Sequence, residues 1–268
     1  MQNWPAQAAA NLAALRTKNP LIHNITNFVV MNFTANAILA AGASPVMAYA
    51  AEEVTQIAAS ADALVLNIGT LTPDRLKAML LAGKSALENK KPVVLDPVGA
   101  GAVDYRTLAA KQIIDETKPN LIRGNASEIL ALQDKPITAR GVDTAHSVTA
   151  AAKSANKLAL KLSTSLAITG PTDFITDGTR MVEVQNGHRL MARVTGAGCT
   201  ATAIMGAFLS VNSDPLCAAA CALAYFGLAG EMAAEKASGP GSFVPAFIDA
   251  LYLITPEALA AGCRIKDV

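Results

Sequence analysis

"ALVLNIGTLTPDRLKAMLLAGKSALENKKPVVLDPV", residues 63–98, sets two short apolar runs, 63–67 and 92–98, on either side of a long helical stretch at 72–90. The two runs are apolar at successive positions. A strand of that kind is buried on both faces, as in a parallel sheet covered by helices on both sides. The order continues with a helix near 105–116, a strand at "NLI" 120–122, a short helix from about Ser127 and a further buried strand at "SLAIT" 165–169. This reading is an α/β fold with a mostly parallel central sheet and helices on both faces.

The pattern changes after residue 170. Asp177-Gly178 is a turn dipeptide between two alternating runs, which predicts a β-hairpin over 173–187, and "GHRLMARV" 187–194 reads as its extension. Helices are expected near 199–210, 214–236 and 244–254, and the Ala/Leu spacing of the first twenty residues predicts an amphipathic first helix. With no repeat period and no low-complexity linker, the chain is expected to form one domain over residues 1–268.

Composition narrows the function. The 268 residues carry a formal net charge of +1, and the 22 Lys and Arg are scattered rather than gathered into a stripe, which argues against a nucleic-acid partner. Hydrophobic residues are 52% of the chain, but much of this is alanine, and neither a membrane span nor a leader segment is signalled; a cytoplasmic protein with a small substrate is expected. Cys199, Cys217, Cys221 and Cys263 form no Cys-x-x-Cys pair, and His23, His146 and His188 are far apart, so no zinc site or disulfide framework is indicated. Cys217 and Cys221 share a helix face and are expected in the core.

In such a sheet ligands bind beyond the carboxyl ends of the strands. Asp96 stands there in "LDPVGAGA", Arg123, Asn125 and Glu128 in "IRGNASEI", and Thr169 in "LAITGPT". In "VTGAGCTATAI", 194–204, Gly196, Ala197 and Gly198 precede Cys199 at a helix start. Glycine lets the backbone approach an anion closely, and aligned amides at a helix N-terminus favour negative charge by about 0.3–1 kcal/mol each. The alternative is a glycine-rich turn that serves packing. Asp96 and Glu128 suit Mg²⁺, which takes one or two carboxylates and keeps its waters, or else they cap a turn and a helix. Arg123 either screens phosphate charge or is solvated. Neither the GxGxxG nor the Walker pattern is present.

These segments, with "LIHNITNFVVMNFTANAILAAGASPVMA" 21–48 and "GPGSF" 239–243, resemble the hydroxyethylthiazole kinases of the ribokinase-like superfamily in order and over essentially the whole chain. The resemblance implies a three-layer ribokinase-like fold and ATP-dependent phosphorylation of the primary alcohol of 4-methyl-5-(2-hydroxyethyl)thiazole. It further implies a thiazole pocket at Asn27, Met47 and Gly196, nucleotide contacts at Arg123, Asn125 and Thr169, Mg²⁺ near Asp96 and Glu128, and a homotrimer with active sites at subunit interfaces. Met47 as a plain core residue stays open. Ribokinase-like enzymes resemble one another in an Asp base where this chain has Cys199, as the thiazole kinases do. A thiol of ordinary pKa near 8.5 is largely neutral at pH 7, so Cys199 is expected to orient the hydroxyl and to help proton transfer modestly. The rival readings are a kinase of the same fold for another alcohol, a cysteine hydrolase using His188 or His23, and a nucleotide-binding module without turnover.

Overall fold

The computed structural model describes residues 2–133 and 154–268; His146 lies outside them. The described residues form one nine-stranded sheet in the order β2-β1-β3-β4-β5-β6-β7-β8-β9. Its strands are β1 (Leu21–Ile25), β2 (Ser44–Val46), β3 (Ala63–Asn67), β4 (Val93–Asp96), β5 (Leu121–Asn125), β6 (Ser165–Thr169), β7 (Asp173–Thr176), β8 (Met181–Val184) and β9 (Ile265–Asp267). The pairs from β2 to β6 are parallel, and β7, β8 and β9 extend the sheet antiparallel.

Alternate residues of each strand enter opposite cores. Ile22, Val65, Val94, Leu121 and Ala167 pack under α1 (Trp4–Lys18), α2 (Met31–Ala41), α8 (Ala197–Leu209), α9 (Pro215–Lys236) and α10 (Pro240–Leu253). Ile25, Leu64, Leu66, Leu95, Ile122 and Ile168 pack under α3 (Val54–Ser60), α4 (Pro73–Glu88), α5 (Asp104–Thr117), α6 (Ala126–Ala131) and the helix at 154–162, α7. The result is the expected three-layer arrangement. A strand apolar on both sides is the sequence form of that burial.

The first helix buries Trp4, Ala8, Leu12 and Leu15, a stripe at spacings of four, four and three. α9 is apolar and long enough to cross a membrane by length and composition, yet it runs inside the protein, with Cys217 and Cys221 in the core as expected. α11 (Pro256–Gly262) leads into β9.

One expected strand is absent. Residues 189–193 form a 3₁₀ helix, η1 (Arg189–Arg193), instead of prolonging the hairpin. β9 occupies the edge of β8 through the pairs Val182–Asp267 and Val184–Ile265. Gly187 has φ +142°, and its amide donates to Glu231 Oε1 at 2.7 Å, which turns the chain off the sheet edge. His188 Nδ1 then accepts from Leu190 N and starts η1. This turn carries residues 188–194 back toward the carboxyl edge of the parallel strands, where they line a cavity.

α9 approaches that turn closely enough to exclude any side chain at Gly227, where a Cβ would stand 2.5 Å from the Asn186 carbonyl carbon and oxygen. Backbone cannot yield as a flexible side chain does. Gly227→Ala should therefore lower the unfolding free energy by about 1–3 kcal/mol in urea titrations, although alanine's helix propensity alone would add about 1 kcal/mol.

Candidate active site

Strand ends in register build the site. β1, β3 and β4 lie side by side with Asn67 opposite Asp96, and the chain leaving β1 places Asn27 above them. Asn27 Nδ2 donates to Asn67 Oδ1 at 3.0 Å, and Asn67 Nδ2 donates to Asp96 Oδ2 at 2.9 Å. Thr202 Oγ1, one turn into α8, donates to the same Asp96 oxygen at 2.8 Å. Arg123 Nη1 stands 3.7 Å from it, while Arg123 Nη2 donates to Thr169 Oγ1. Three strands and one helix thus meet on one carboxylate.

That carboxylate is fully buried, and burial pushes its pKa up to about 6, opposed by the Arg123 charge and by the hydrogen bonds from Thr202 and Asn67. Its second oxygen, Oδ1, is buried without a hydrogen-bond partner. Such an oxygen is costly unless something cationic or hydrogen-bonding meets it.

α8 begins at Gly196, whose φ of +86° is left-handed, and its first backbone bond runs from Thr200 N to Gly196 O at 2.9 Å. The amides of Gly196 through Cys199 therefore precede the helical ladder, as the first four of any helix do. The space beside the two glycines is occupied by protein. A Cβ on Gly196 would meet Val30 Cγ1 at 2.4 Å, and one on Gly198 would meet Arg123 Nη1 at 2.7 Å. The glycine pattern thus seats Val30 and the arginine against the helix start, and Arg123 joins the amides in one positive corner.

That corner opens into a cavity of about 1190 Å³. Arg123, Asn125 and Thr169 line its polar side together with Gly198, and η1 and Phe226 line its apolar side. Asp173 also borders it. Its Oδ1 accepts from Gly170 N at 2.9 Å, and burial pushes its pKa up to about 7. A cavity of this size, part apolar and part cationic, has room for a nucleotide.

Cys199 faces the other way. Its Sγ accepts from Asn27 Nδ2 at 3.4 Å, and burial together with the Asp96 charge raises its pKa, against the hydrogen bonds from Asn67 and Asn27. The helix N-terminus does not overcome burial here, so the thiol stays protonated. No histidine among the described residues bonds to it: His23 Nε2 lies 2.8 Å from Ala48 O, and His188 caps η1. Neither His188 nor His23 is therefore a base for the cysteine-hydrolase reading.

The sequence-derived residues divide into three groups. Asn27, Asp96, Arg123, Thr169, Gly196, Ala197, Gly198 and Cys199 come together at the carboxyl edge. Asn125 and Glu128 stand beside them as a reciprocal helix cap, with Glu128 Oε2 accepting from Asn125 N at 2.9 Å and Oε1 accepting from Gly99 N at 2.9 Å. Glu128 therefore also fastens the loop after β4, while Asn125 lines the cavity. Met47 follows β2 and packs, half-buried, against the core under α1, α2, α8, α9 and α10, with no hydrogen bond to the other site residues. Asn67, Thr202 and Asp173 were not singled out from sequence. Asn67 ends the run "ALVLN", so the strand-end rule reaches it, and Thr202 lies three residues from Cys199 on the same helical face.

Residues 12–257 match the family model for the hydroxyethylthiazole kinase family. The chain belongs to that family. The hydroxyethylthiazole kinase of Desulfotalea psychrophila is 57% identical over 267 residues, spanning 100% of this chain and 98% of that one. That of Moorella thermoacetica is 49% identical over 264 residues, spanning 98% and 99%. The solved structure of hydroxyethylthiazole kinase from Pyrococcus horikoshii OT3 superposes with a TM-score of 0.87 at 42% identity, covering 97% of this chain and 98% of that one. Pyridoxal kinase from Staphylococcus aureus in complex with pyridoxal gives a TM-score of 0.64 at 16% identity over 92% and 97%, a likeness of fold. Hydroxyethylthiazole kinases are thus this chain's family, and the ribokinase-like fold is theirs.

Asp96 is held charged at a cost. Its folded pKa, about 6, lies above the ordinary carboxylate value of 3.8, so the folded state binds the proton more tightly, and stability falls as pH rises from about 4 to about 6 before levelling off. Asp96→Asn keeps an oxygen that accepts from Asn67 and Thr202 and removes the buried charge. It should raise the unfolding free energy at pH 8 by on the order of 2 kcal/mol while abolishing most turnover; denaturant titrations at pH 4 and pH 8 beside an ADP-release assay check both.

Proposed function

We propose that the whole chain acts as one kinase domain that transfers the γ-phosphoryl group of ATP to the primary alcohol of 4-methyl-5-(2-hydroxyethyl)thiazole, in the cytoplasm. The observation that carries the reading is the position of the α8 N-terminus. Gly196, Ala197 and Gly198 line the large cavity on one side, while Cys199 touches Asn27 on the other. A phosphoryl donor and an acceptor alcohol can thus meet at one helix start.

In this reading Arg123, Asn125 and Thr169 hold the nucleotide phosphates, and Asn27, Met47 and Gly196 frame the thiazole. The alcohol oxygen bonds to the γ-phosphorus as the bond to the β–γ bridging oxygen breaks, ADP leaves, and the hydroxyl proton passes to the transferred phosphoryl group and then to water. The free amides at Ala197, Gly198 and Cys199 and the Arg123 guanidinium face the charge that spreads over the transferring group. One well-placed donor of this kind lowers a barrier by roughly 2.7–4 kcal/mol. Cys199, protonated, orients the hydroxyl and gives little help in removing its proton, which a loose phosphoryl-transfer transition state tolerates.

Mg²⁺ fits the carboxylates present. Asp96 offers a buried, unpartnered oxygen, and no group of three or more His, Cys, Asp or Glu able to hold a metal occurs among the described residues, as suits an ion that takes one or two carboxylates plus substrate phosphates. Asp96 and Glu128 would hold it, and it would supply positive charge that neutralises the polyphosphate. A homotrimer with active sites at subunit interfaces accords with four large exposed hydrophobics, Phe28, Val29, Leu39 and Tyr49, in the segment next to Asn27 and Met47.

Two measurements bear on these roles. Cys199→Ala should lose part of kcat, roughly threefold to thirtyfold, and Cys199→Asp should keep or raise it. An Asp variant that folds and binds ATP yet shows no turnover would refute the role given to the thiol. In the same ADP-release assay, the thiazole alcohol should exceed hydroxymethylpyrimidine and pyridoxal as acceptor, and equal turnover of a pyrimidine would count against the thiazole. Chelation by EDTA should stop the reaction, and added Mg²⁺ should restore it.

A further inference from the structure

Arg75, in the first turn of α4, is 3% exposed and forms no ion pair with any described carboxylate. A buried guanidinium without a carboxylate is unusual, because its charge has lost water and gained no opposite charge. Its contacts are of another kind. Nη2 donates to the Thr26 carbonyl, the residue just before Asn27. The guanidinium carbon lies 4.3 Å from the centre of the Phe28 ring, the residue just after Asn27, and 4.9 Å from the centre of the Tyr49 ring. Phe28 and Tyr49 meet edge to face, with centroids 5.9 Å apart. They are 54% and 42% exposed, so they cover the cation and have no comparable packing of their own. Nε and Nη1 are buried with no hydrogen-bond partner, so the two ring faces and the Thr26 carbonyl are what the cation meets in place of water.

The two tethered segments are those that carry the acceptor pocket. Asn27 lies between Thr26 and Phe28, both fixed by Arg75, and Tyr49 lies two residues beyond Met47. Within that second loop, His23 Nε2 also meets Ala48 O. Neither loop is bound into the sheet by a ladder at these positions, and Arg75, from a third element, joins the first to the second.

We infer that Arg75 is a positioning residue for the acceptor alcohol: through Thr26, Phe28 and Tyr49 it fixes where Asn27 and Met47 stand, without touching the substrate. The inference rests on the assignment of Asn27 and Met47 to the thiazole pocket. It gives Arg75 an effect on the alcohol side of the reaction and none on the nucleotide side, because the cavity of Arg123 and Thr169 is lined from β5, β6, α8, α9 and η1, whereas Thr26, Phe28 and Tyr49, the partners of Arg75, line none of it.

Steady-state kinetics on the full chain, with ATP and the thiazole alcohol varied separately, test it. Arg75→Met should raise KM for the alcohol by about tenfold and leave KM for ATP within about twofold. Arg75→Lys keeps the charge over the rings and should recover part of the loss. If Arg75→Met does not fold, Tyr49→Leu should raise the alcohol KM by about threefold with KM for ATP unmoved and the oligomeric state, read by light scattering, the same as in the unmodified chain. Equal changes in both KM values, or no change in either, would overturn the inference. Asn27→Ala separates the two levels: if it raises the alcohol KM while the Arg75 and Tyr49 variants do not, the positioning role alone falls. If Asn27→Ala leaves the alcohol KM unchanged, the pocket assignment falls and the positioning role with it.

Discussion

The buried carboxylate of Asp96 is the constraint on which the rest of the site depends. An ionised group with no exposed surface is tolerated when hydrogen bonds and an opposite charge surround it. Here those partners come from Asn67 on β3, Arg123 on β5 and Thr202 on α8. Each partner requires its element to end at a given place. Asn67 must close β3 in register with Asp96, and α8 must start within a turn of Thr202. α8 can lie close to the sheet because Gly206 faces Val65, where a Cβ would stand 2.4 Å from Cγ2. Thus the polar centre of the site and the closest helix-to-sheet packing in this region depend on the same helix.

That helix also separates two chemistries. On its cavity side, backbone amides and Arg123 make a positive surface from groups that need no reorganisation when charge appears. On its other side, Cys199 meets Asn27 on a weakly polar surface, and Phe28, the next residue in the chain, pairs with Tyr49. A small, neutral heterocycle with one hydroxyl suits the second surface, and a polyphosphate suits the first. The chain's low charge, 16% Asp, Glu, Lys and Arg, fits such a division, because the site draws its positive potential from amides and one arginine rather than from a basic patch.

The central strands were legible because they are buried on both faces and therefore apolar at successive positions, as "ALVLN" and "SLAIT" are. β1 was harder to see, since "LIHNI" buries His23 and Asn24 among its apolar residues. β9 was invisible, three residues with Lys266 and Asp267 exposed at a sheet edge, and its pairing with β8 is what leaves 189–193 free to turn into η1. Among site residues, those at strand ends beside glycine or proline could be found from spacing. The hydrogen bonds that join Asn27, Asn67 and Asp96 cross 40 and 29 residues of sequence, and no local pattern encodes them. Arg75 likewise reads as an ordinary helical arginine until its two aromatic neighbours are placed. The glycines illustrate a subtler limit. Their positions are legible, but whether the space they leave serves a ligand or a protein side chain depends on Val30 and Arg123, which come from elsewhere in the chain.

The choice of cysteine at position 199 follows from the same centre. An aspartate there would set a second carboxylate near Asp96, whose charge already adds to burial in raising the Cys199 pKa. Two nearby anions raise each other's pKa, which would make the new carboxylate a stronger base toward the alcohol proton at a cost to the buried centre. A thiol avoids that conflict by remaining neutral, and its sulfur still accepts from Asn27. In the proposed mechanism the thiol gives up proton-accepting strength at the reacting hydroxyl and keeps Asp96 free of a competing negative charge. In a reaction governed by position and electrostatics, that exchange preserves the group to which every other element of the site is tied.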